Sequence, residues 1–136
     1  MANREKIEEA FGEKHFAGKI GCRIVSVAPE EAVCQLDITD QHLNATANVQ
    51  GGVIYTLGDF TFAVAANAFG KVTVTLNSSI SYLHAAQGTR LYATARQVSR
   101  SQRICVYDVK IADETGIHVA QMTVTGYVKN RENGMA

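Results

Sequence analysis

Asp59 is the only Asp, Glu, Lys or Arg between Asp40 and Lys71, and it interrupts an apolar run from Gly51 to Phe69. A helix over this run carries apolar residues on every face, the pattern of a helix buried all round. Burying a carboxylate without partners is costly. Asp59 is therefore either tied to backbone N–H groups or a cation, or it faces a cleft and works there. A desolvated carboxylate has a raised pKa, which suits a general base near neutral pH, and direct nucleophilic attack is the rival chemistry. The same run opens on Gly51-Gly52. The first N–H groups of a helix lack intrahelical acceptors and point at whatever lies beyond the terminus. Two residues without Cβ let an oxygen approach them closely. The pair also reads as a simple loop-to-helix turn.

These groups need elements to hold them. Residues 3–12 read as an amphipathic helix, with Arg4 and Glu8 at i,i+4 and Ile7, Ala10 and Phe11 on one face. Ile20 to Ala28 and Ala32 to Thr39 read as strands around a Pro29-Glu30-Glu31 turn, and Asp40 to Gln50 is a polar loop. After Gly70 the period changes from helical to two. Lys71 to Leu83, Arg90 to Val98, Arg103 to Ala112 and Ile117 to Val128 are rich in Val, Thr, Ile and Tyr. The segments between them have the length and composition of hairpin turns, so the spacing predicts a meander of four strands. Thr73, Thr75 and Asn77 alternate along the first of these and are expected on one face. The whole is an α+β domain spanning 1–136, a curved antiparallel sheet wrapped around one long helix. One sheet covers only part of such a helix, so a loop or a partner subunit is expected on the other side, which points to an oligomer.

Lys+Arg and Asp+Glu balance at 13 each, which gives no support to a nucleic-acid or acidic-membrane partner. Cys22, Cys34 and Cys105 are odd in number, far apart and outside any C-x-x-C pair. They read as small apolar residues in a reducing compartment. Met1 to Phe11 is charged and lacks the apolar core of a signal peptide. Val53 to Phe69 contains Gly58, Asp59 and Asn67 and falls short of a spanning segment. A cytoplasmic protein without metal or cofactor is the expectation, since no His, Cys and carboxylate cluster has ligand spacing.

The segment His42-Leu43-Asn44-Ala45-Thr46-Ala47-Asn48-Val49-Gln50-Gly51-Gly52, with Asp59 seven positions on, resembles a family motif. It is similar to that of the hotdog-fold acyl-CoA thioesterases of the phenylacetate-pathway group, H-x-N-x-x-G-x-x-H-G-G followed by an acid. The order of elements matches over essentially the whole chain. Two positions depart from the pattern: Ala47 stands for Gly and Gln50 for His. The resemblance implies hydrolysis of a small or medium acyl-CoA thioester to free acid and coenzyme A, with Asp59 as general base or nucleophile and the Gly51 N–H as oxyanion donor. It places Asn44 beside the thioester, across a dimer interface from the acid. Thr75, with Asn77 second, would hold the attacking water, where a Thr that simply favours a strand face is the plainer alternative; Gly52 and Gln50 would lie against the substrate, or Gln50 folds back onto its own loop. Arg100 and Arg103 would meet the phosphates of coenzyme A, where a solvated hairpin is the plainer alternative. For Asn44 the alternative is an Asx-turn, and His42 reads as a loop-capping residue. A homodimer assembling into a homotetramer is implied as well. A hotdog hydratase would carry a catalytic His and a Gly-Asp-x-Asn-Pro-type motif, but Gly58-Asp59 is followed by Phe60-Thr61. A non-catalytic acyl-CoA sensor would tend to lack the acid.

Overall fold

The computed structural model describes residues 3–68 and 70–135. Met1, Ala2 and Phe69, which belong to the N-terminal and helical runs read above, lie outside them, as does Ala136. The chain begins with helix α1 (Arg4–Ala10), capped by Asn3 Oδ1, which accepts from Lys6 N at 3.1 Å. A short second helix, α2 (Phe16–Lys19), follows, and was not anticipated from the sequence. Strands β1 (Arg23–Ala28) and β2 (Glu31–Asp37) form the first hairpin. The loop then leads through a 3-10 turn, Asp40–His42, to the long helix α3 (Gly51–Asn67). Strands β3 (Lys71–Tyr82), β4 (Arg90–Arg100), β5 (Ile104–Asp113) and β6 (His118–Glu132) complete one six-stranded sheet.

The hotdog arrangement is present: the antiparallel sheet curves around α3. The inner face of β2 presents Ala32, Cys34 and Leu36, and that of β4 presents Leu91, Ala93 and Ala95, all buried. Small side chains there let the helix sit deep in the sheet. Gly58 does the same from the helix side, since a Cβ on it would stand 2.1 Å from the Met122 sulfur. Alanine at 58 forces Met122 to move, and overpacking of this kind is destabilising.

The meander is corrected. The strand order is β1-β2-β4-β5-β6-β3. β4 pairs with β2, and β3 pairs with β6 on the far edge. The segment containing Gln87-Gly88 is thus a crossover, not a hairpin turn. Its stop is made by Asp113, a buried carboxylate at the other end of the sequence pairing. Asp113 Oδ2 accepts from Gln87 N at 2.7 Å and Gly88 N at 2.9 Å, while Oδ1 accepts from Thr115 N and Ile117 N. Burial disfavours its charge, but donors from Thr115, Gly88, Gln87 and Ile117 outweigh that and hold the carboxyl well below the usual range. Turn composition says where a strand ends, not which strand it joins. The consequence is that β3 is an edge strand with one side unpaired within the chain.

A second correction concerns the face of Asn77. The register runs Thr75↔Gly126 and then Asn77↔Thr125, so one residue is extra on β3. Such a bulge breaks the period of two. Thr73 and Thr75 pair with Val128 and Gly126 on the inner face, whereas Asn77 pairs with Thr125 on the outer one. Ser78 takes the inner place that strict alternation assigned to Asn77.

Ala47, the residue standing for the family's Gly, has φ 63°. The loop therefore keeps a left-handed residue and places a Cβ there, at a cost of about 1–2 kcal/mol. Ala47 N donates to Asn44 O at 3.0 Å and Asn44 N to Asn48 O at 2.7 Å, so the turn is closed around it. Ala47→Gly relieves the strain and loosens the unfolded chain, a net stabilisation of up to about 1 kcal/mol. A urea titration showing an unchanged or lower midpoint counts against this account.

Candidate active site

Asp59 sits in the middle of α3, half-buried, on the face that turns toward the N-terminal segment. It borders a cleft of about 520 Å³ whose walls include Phe11, Phe16, Tyr55, Phe60 and Ala63. Thr75 Oγ1 on β3 donates to Asp59 Oδ1 at 3.4 Å. Burial pushes the Asp59 carboxyl above the ordinary carboxylate range, and the Thr75 hydrogen bond opposes this only in part. Among the described residues no cation pairs with Asp59, and its side chain accepts from no backbone N–H. The tied-up reading of the carboxylate is not what is seen.

The contact with Thr75 is one of a row. Helix positions 51, 55 and 59 fall one turn apart, and each meets β3. Tyr82 Oη donates to Gly51 O at 3.0 Å, Tyr55 and Ser78 share a hydroxyl–hydroxyl bond, and Thr75 reaches Asp59. Further along, Asn67 Oδ1 accepts from Thr73 N at 2.8 Å and its Nδ2 donates to Thr73 O at 3.1 Å. A polar seam thus joins α3 to the open edge strand, while the rest of the helix packs on apolar side chains. Nothing in the sequence alone singles out Ser78 and Tyr82 for this seam. Tyr55 was visible as the residue four before Asp59, but Ser78 needed the bulge.

At the start of α3, Gln50 is the N-cap residue, yet its side chain makes no capping bond. The N–H groups of Gly51 and Gly52 find no protein acceptor among the described residues. Gly51 is held by Tyr82, whose ring carbon would lie 3.3 Å from a Cβ at that position. Gly52 has nothing within 4 Å of its would-be Cβ, and its φ is ordinary. No contact inside this chain requires glycine there, and the space beside it is open.

Gly51 and Asp59 are eight residues apart in the sequence, which is about 12 Å along a helix at 1.5 Å per residue. Two groups acting on one carbonyl must both lie about 3 Å from it. The donors and the acid of a single chain therefore cannot act on the same bond.

Asn44 adopts the turn that its alternative reading described. Its Oδ1 accepts from Thr46 N at 2.9 Å, Thr46 Oγ1 at 2.8 Å and Asn48 N at 3.2 Å. Its Nδ2 has no acceptor among the described residues, so the turn fixes an exposed donor rather than consuming it. His42 is buried and caps the loop: Thr39 N donates to Nδ1 at 2.9 Å, and Nε2 bonds to Ile20 O at 2.6 Å. Gln50 is exposed beside Gly51. Arg100 lines a different cleft of about 270 Å³ near the C-terminal end of α3, with Glu30, Lys71 and Tyr107. Arg103 lies at the β4–β5 turn, where its carbonyl accepts from Val128 N. The structure does not bring either arginine to the Asp59 cleft of its own chain. The three cysteines are free and buried, with burial pushing the Cys22 and Cys34 thiols up to about 12; none lines that cleft.

The thioesterase superfamily matches residues 47–120, more than half of the chain. The acyl-coenzyme A thioesterase PaaI of Escherichia coli is 31% identical over 99 residues, covering 72% of this chain and 71% of its own. The solved structure of the E. coli PaaI protein from the phenylacetic acid degradation operon superposes with a TM-score of 0.86 at 26% identity, covering 94% of each chain. A hypothetical thioesterase from Streptococcus pneumoniae TIGR4, solved with coenzyme A, superposes with a TM-score of 0.81 at 26% identity, covering 93% of this chain and 97% of its own. The curved sheet around one helix and these relatives together define a hotdog-fold thioester hydrolase. The chain belongs to the thioesterase superfamily.

Proposed function

We propose that this protein hydrolyses acyl-coenzyme A thioesters at a site shared by two copies of the chain. One copy supplies the Gly51 N–H, backed by Gly52, as oxyanion donor, with Asn44 Nδ2 and Gln50 beside the thioester carbonyl. The other supplies Asp59, which activates water or attacks the carbonyl, with Thr75 steadying its carboxylate. The observation that carries this reading is the half-buried Asp59, bonded among the described residues by Thr75 alone, about 12 Å from the unpartnered N–H groups of its own helix. Each half is built for a reacting carbonyl, and neither is complete alone.

The unpaired edge of β3 supports the same assembly. Val74 and Leu76 on that strand are exposed large apolar side chains, and a long bare edge invites a partner strand. We place the dimer contact there, sheet joined to sheet, with the tetramer as a pair of such dimers. Arg100 and Arg103 are offered as phosphate contacts for coenzyme A bound across the assembly, and Asn77 as an outer-face residue near the joined edge. No helix among the described residues is long and apolar enough to cross a membrane, and the three free thiols fit a reducing cytoplasm.

The test is thiol release from a panel of acyl-CoA thioesters, paired with sedimentation of the same sample. Release of free coenzyme A by a dimer or larger species is expected. A stable monomer that hydrolyses at full rate contradicts the shared site, and no release from any thioester contradicts the function.

A further inference from the structure

We infer that Phe16 on the N-terminal segment sets the acyl preference of the cleft beside Asp59, by offering an exposed aromatic face that a bulky apolar acyl group covers and an acetyl group does not. The inference rests on the thioesterase reading of the same site and adds a residue that sets its specificity. The cleft has two walls of different origin. Helix α3 contributes Tyr55, Asp59, Phe60 and Ala63, successive turns of one face, and residues 10–18 contribute the facing wall with Phe11 and Phe16. Phe11 stands edge-on to Phe60, with ring centroids 5.8 Å apart and planes at 87°, so the base of this wall is fixed by an aromatic pair.

Phe16 is different. It lines the cleft but is 71% exposed. Leaving a Phe side chain in water forgoes the stabilisation that burying it brings. An apolar group in the cleft covers Phe16 and recovers part of that. Apart from Asp59, the polar side chains of the helical wall are already engaged: Thr56 Oγ1 donates to Gly52 O at 2.7 Å, and the Tyr55 hydroxyl bonds to Ser78. Among the described residues no Lys or Arg lines the cleft, and His15 is the one basic side chain on it. An acyl group carrying its own carboxylate finds no strong cation there, and one carrying hydroxyls meets few free partners. The volume, about 520 Å³, falls within the roughly 300–1,000 Å³ of small-molecule pockets and leaves an acetyl group largely uncontacted.

The experiment compares kcat/KM for acetyl-, octanoyl- and 3-phenylpropanoyl-CoA in wild type, Phe16→Ala and Val25→Ala. Val25 is exposed on β1 and does not line the cleft. Wild type is expected to favour both bulky thioesters over acetyl-CoA by at least about tenfold, and Phe16→Ala to lower both ratios by about tenfold, the scale of lost apolar contact in a binding pocket. Val25→Ala should leave the ratios where they are. The larger of the two losses tells an aryl from an alkyl occupant. Ala63→Leu, which narrows the cleft from the helix side, should shift preference toward acetyl-CoA. Unchanged ratios in Phe16→Ala, or a wild type that prefers acetyl-CoA, overturn the inference. Calorimetric titration of Asp59→Asn with coenzyme A and octanoyl-CoA separates this from failure of the hydrolase reading. If wild type cleaves nothing but octanoyl-CoA binds about tenfold more weakly once Phe16→Ala is added, the cleft assignment stands and the hydrolase reading falls. Equal binding of coenzyme A and octanoyl-CoA removes the cleft assignment.

Discussion

Asp59→Asn should lower kcat roughly 10²–10⁴-fold, the range for losing a general base, while KM changes far less. The amide keeps the size of the side chain and can still accept from Thr75 Oγ1, so the cleft remains and only the base or nucleophile is lost. The same substitution should make the fold more stable at neutral pH. Asp59 has a folded pKa above its unfolded value because burial penalises the charge. The folded state therefore holds that proton more tightly, and the stability it contributes is present below the unfolded pKa and lost as pH rises through the folded one. Asn carries no such penalty. The expected signature is a rise in Tm together with the loss of turnover, a trade-off common where a site holds an unfavourable charge. In the wild type the acid limb of kcat should lie above the ordinary carboxylate range, since Asp59 must lose its proton to act. Wild-type turnover by a folded, oligomeric Asp59→Asn sinks the mechanism, and an acid limb at the ordinary carboxylate pKa removes the role of desolvation.

Two inactive variants should restore each other. Gly52→Val places a side chain in the open space above the donors, where nothing in its own chain obstructs it. It should fold and yet lose activity by about 10²–10³-fold, as when an oxyanion donor is removed. Mixed with Asp59→Asn under conditions that let subunits exchange, half of the dimers become mixed. Each mixed dimer has one site with intact Gly52 from one copy and intact Asp59 from the other, so recovery should reach about a quarter of the wild-type rate. The physical basis is the helical rise: about 12 Å separates the two groups on one chain, whereas one carbonyl must touch both. An unmixed sample of either variant is the control. Failure to recover activity after subunit exchange, shown by mass spectrometry of the mixed species, means that each chain carries a complete site.

Some of this was determined by the sequence alone. A single carboxylate in an otherwise uncharged apolar run is a local fact with a large energetic consequence, so Asp59 and its buried helix were legible without coordinates. The Gly51-Gly52 start of that helix, the capping place of His42 and the two-residue period of the later strands depend on neighbours in the chain. They could be read for the same reason. Pairing depends on residues far apart. The spacing of turns could not tell that β3 leaves its successor and lies beside β6, because a hairpin and a crossover of similar length use the same turn residues. Nor could an unbroken alternation foresee the bulge that turns Asn77 outward and brings Ser78 to Tyr55. The cleft wall made by Phe11 and Phe16 lies more than forty residues before Asp59 in the chain, and only folding brings the two together. The strain at Ala47 was posed by the sequence as a question about φ, and the backbone of the folded loop answered it. The distance between donors and acid follows from helical rise and sequence spacing; what the tertiary structure alone decided is that Asp59 opens onto a cleft and that β3 lies at a sheet edge, because both depend on contacts between residues far apart in the chain.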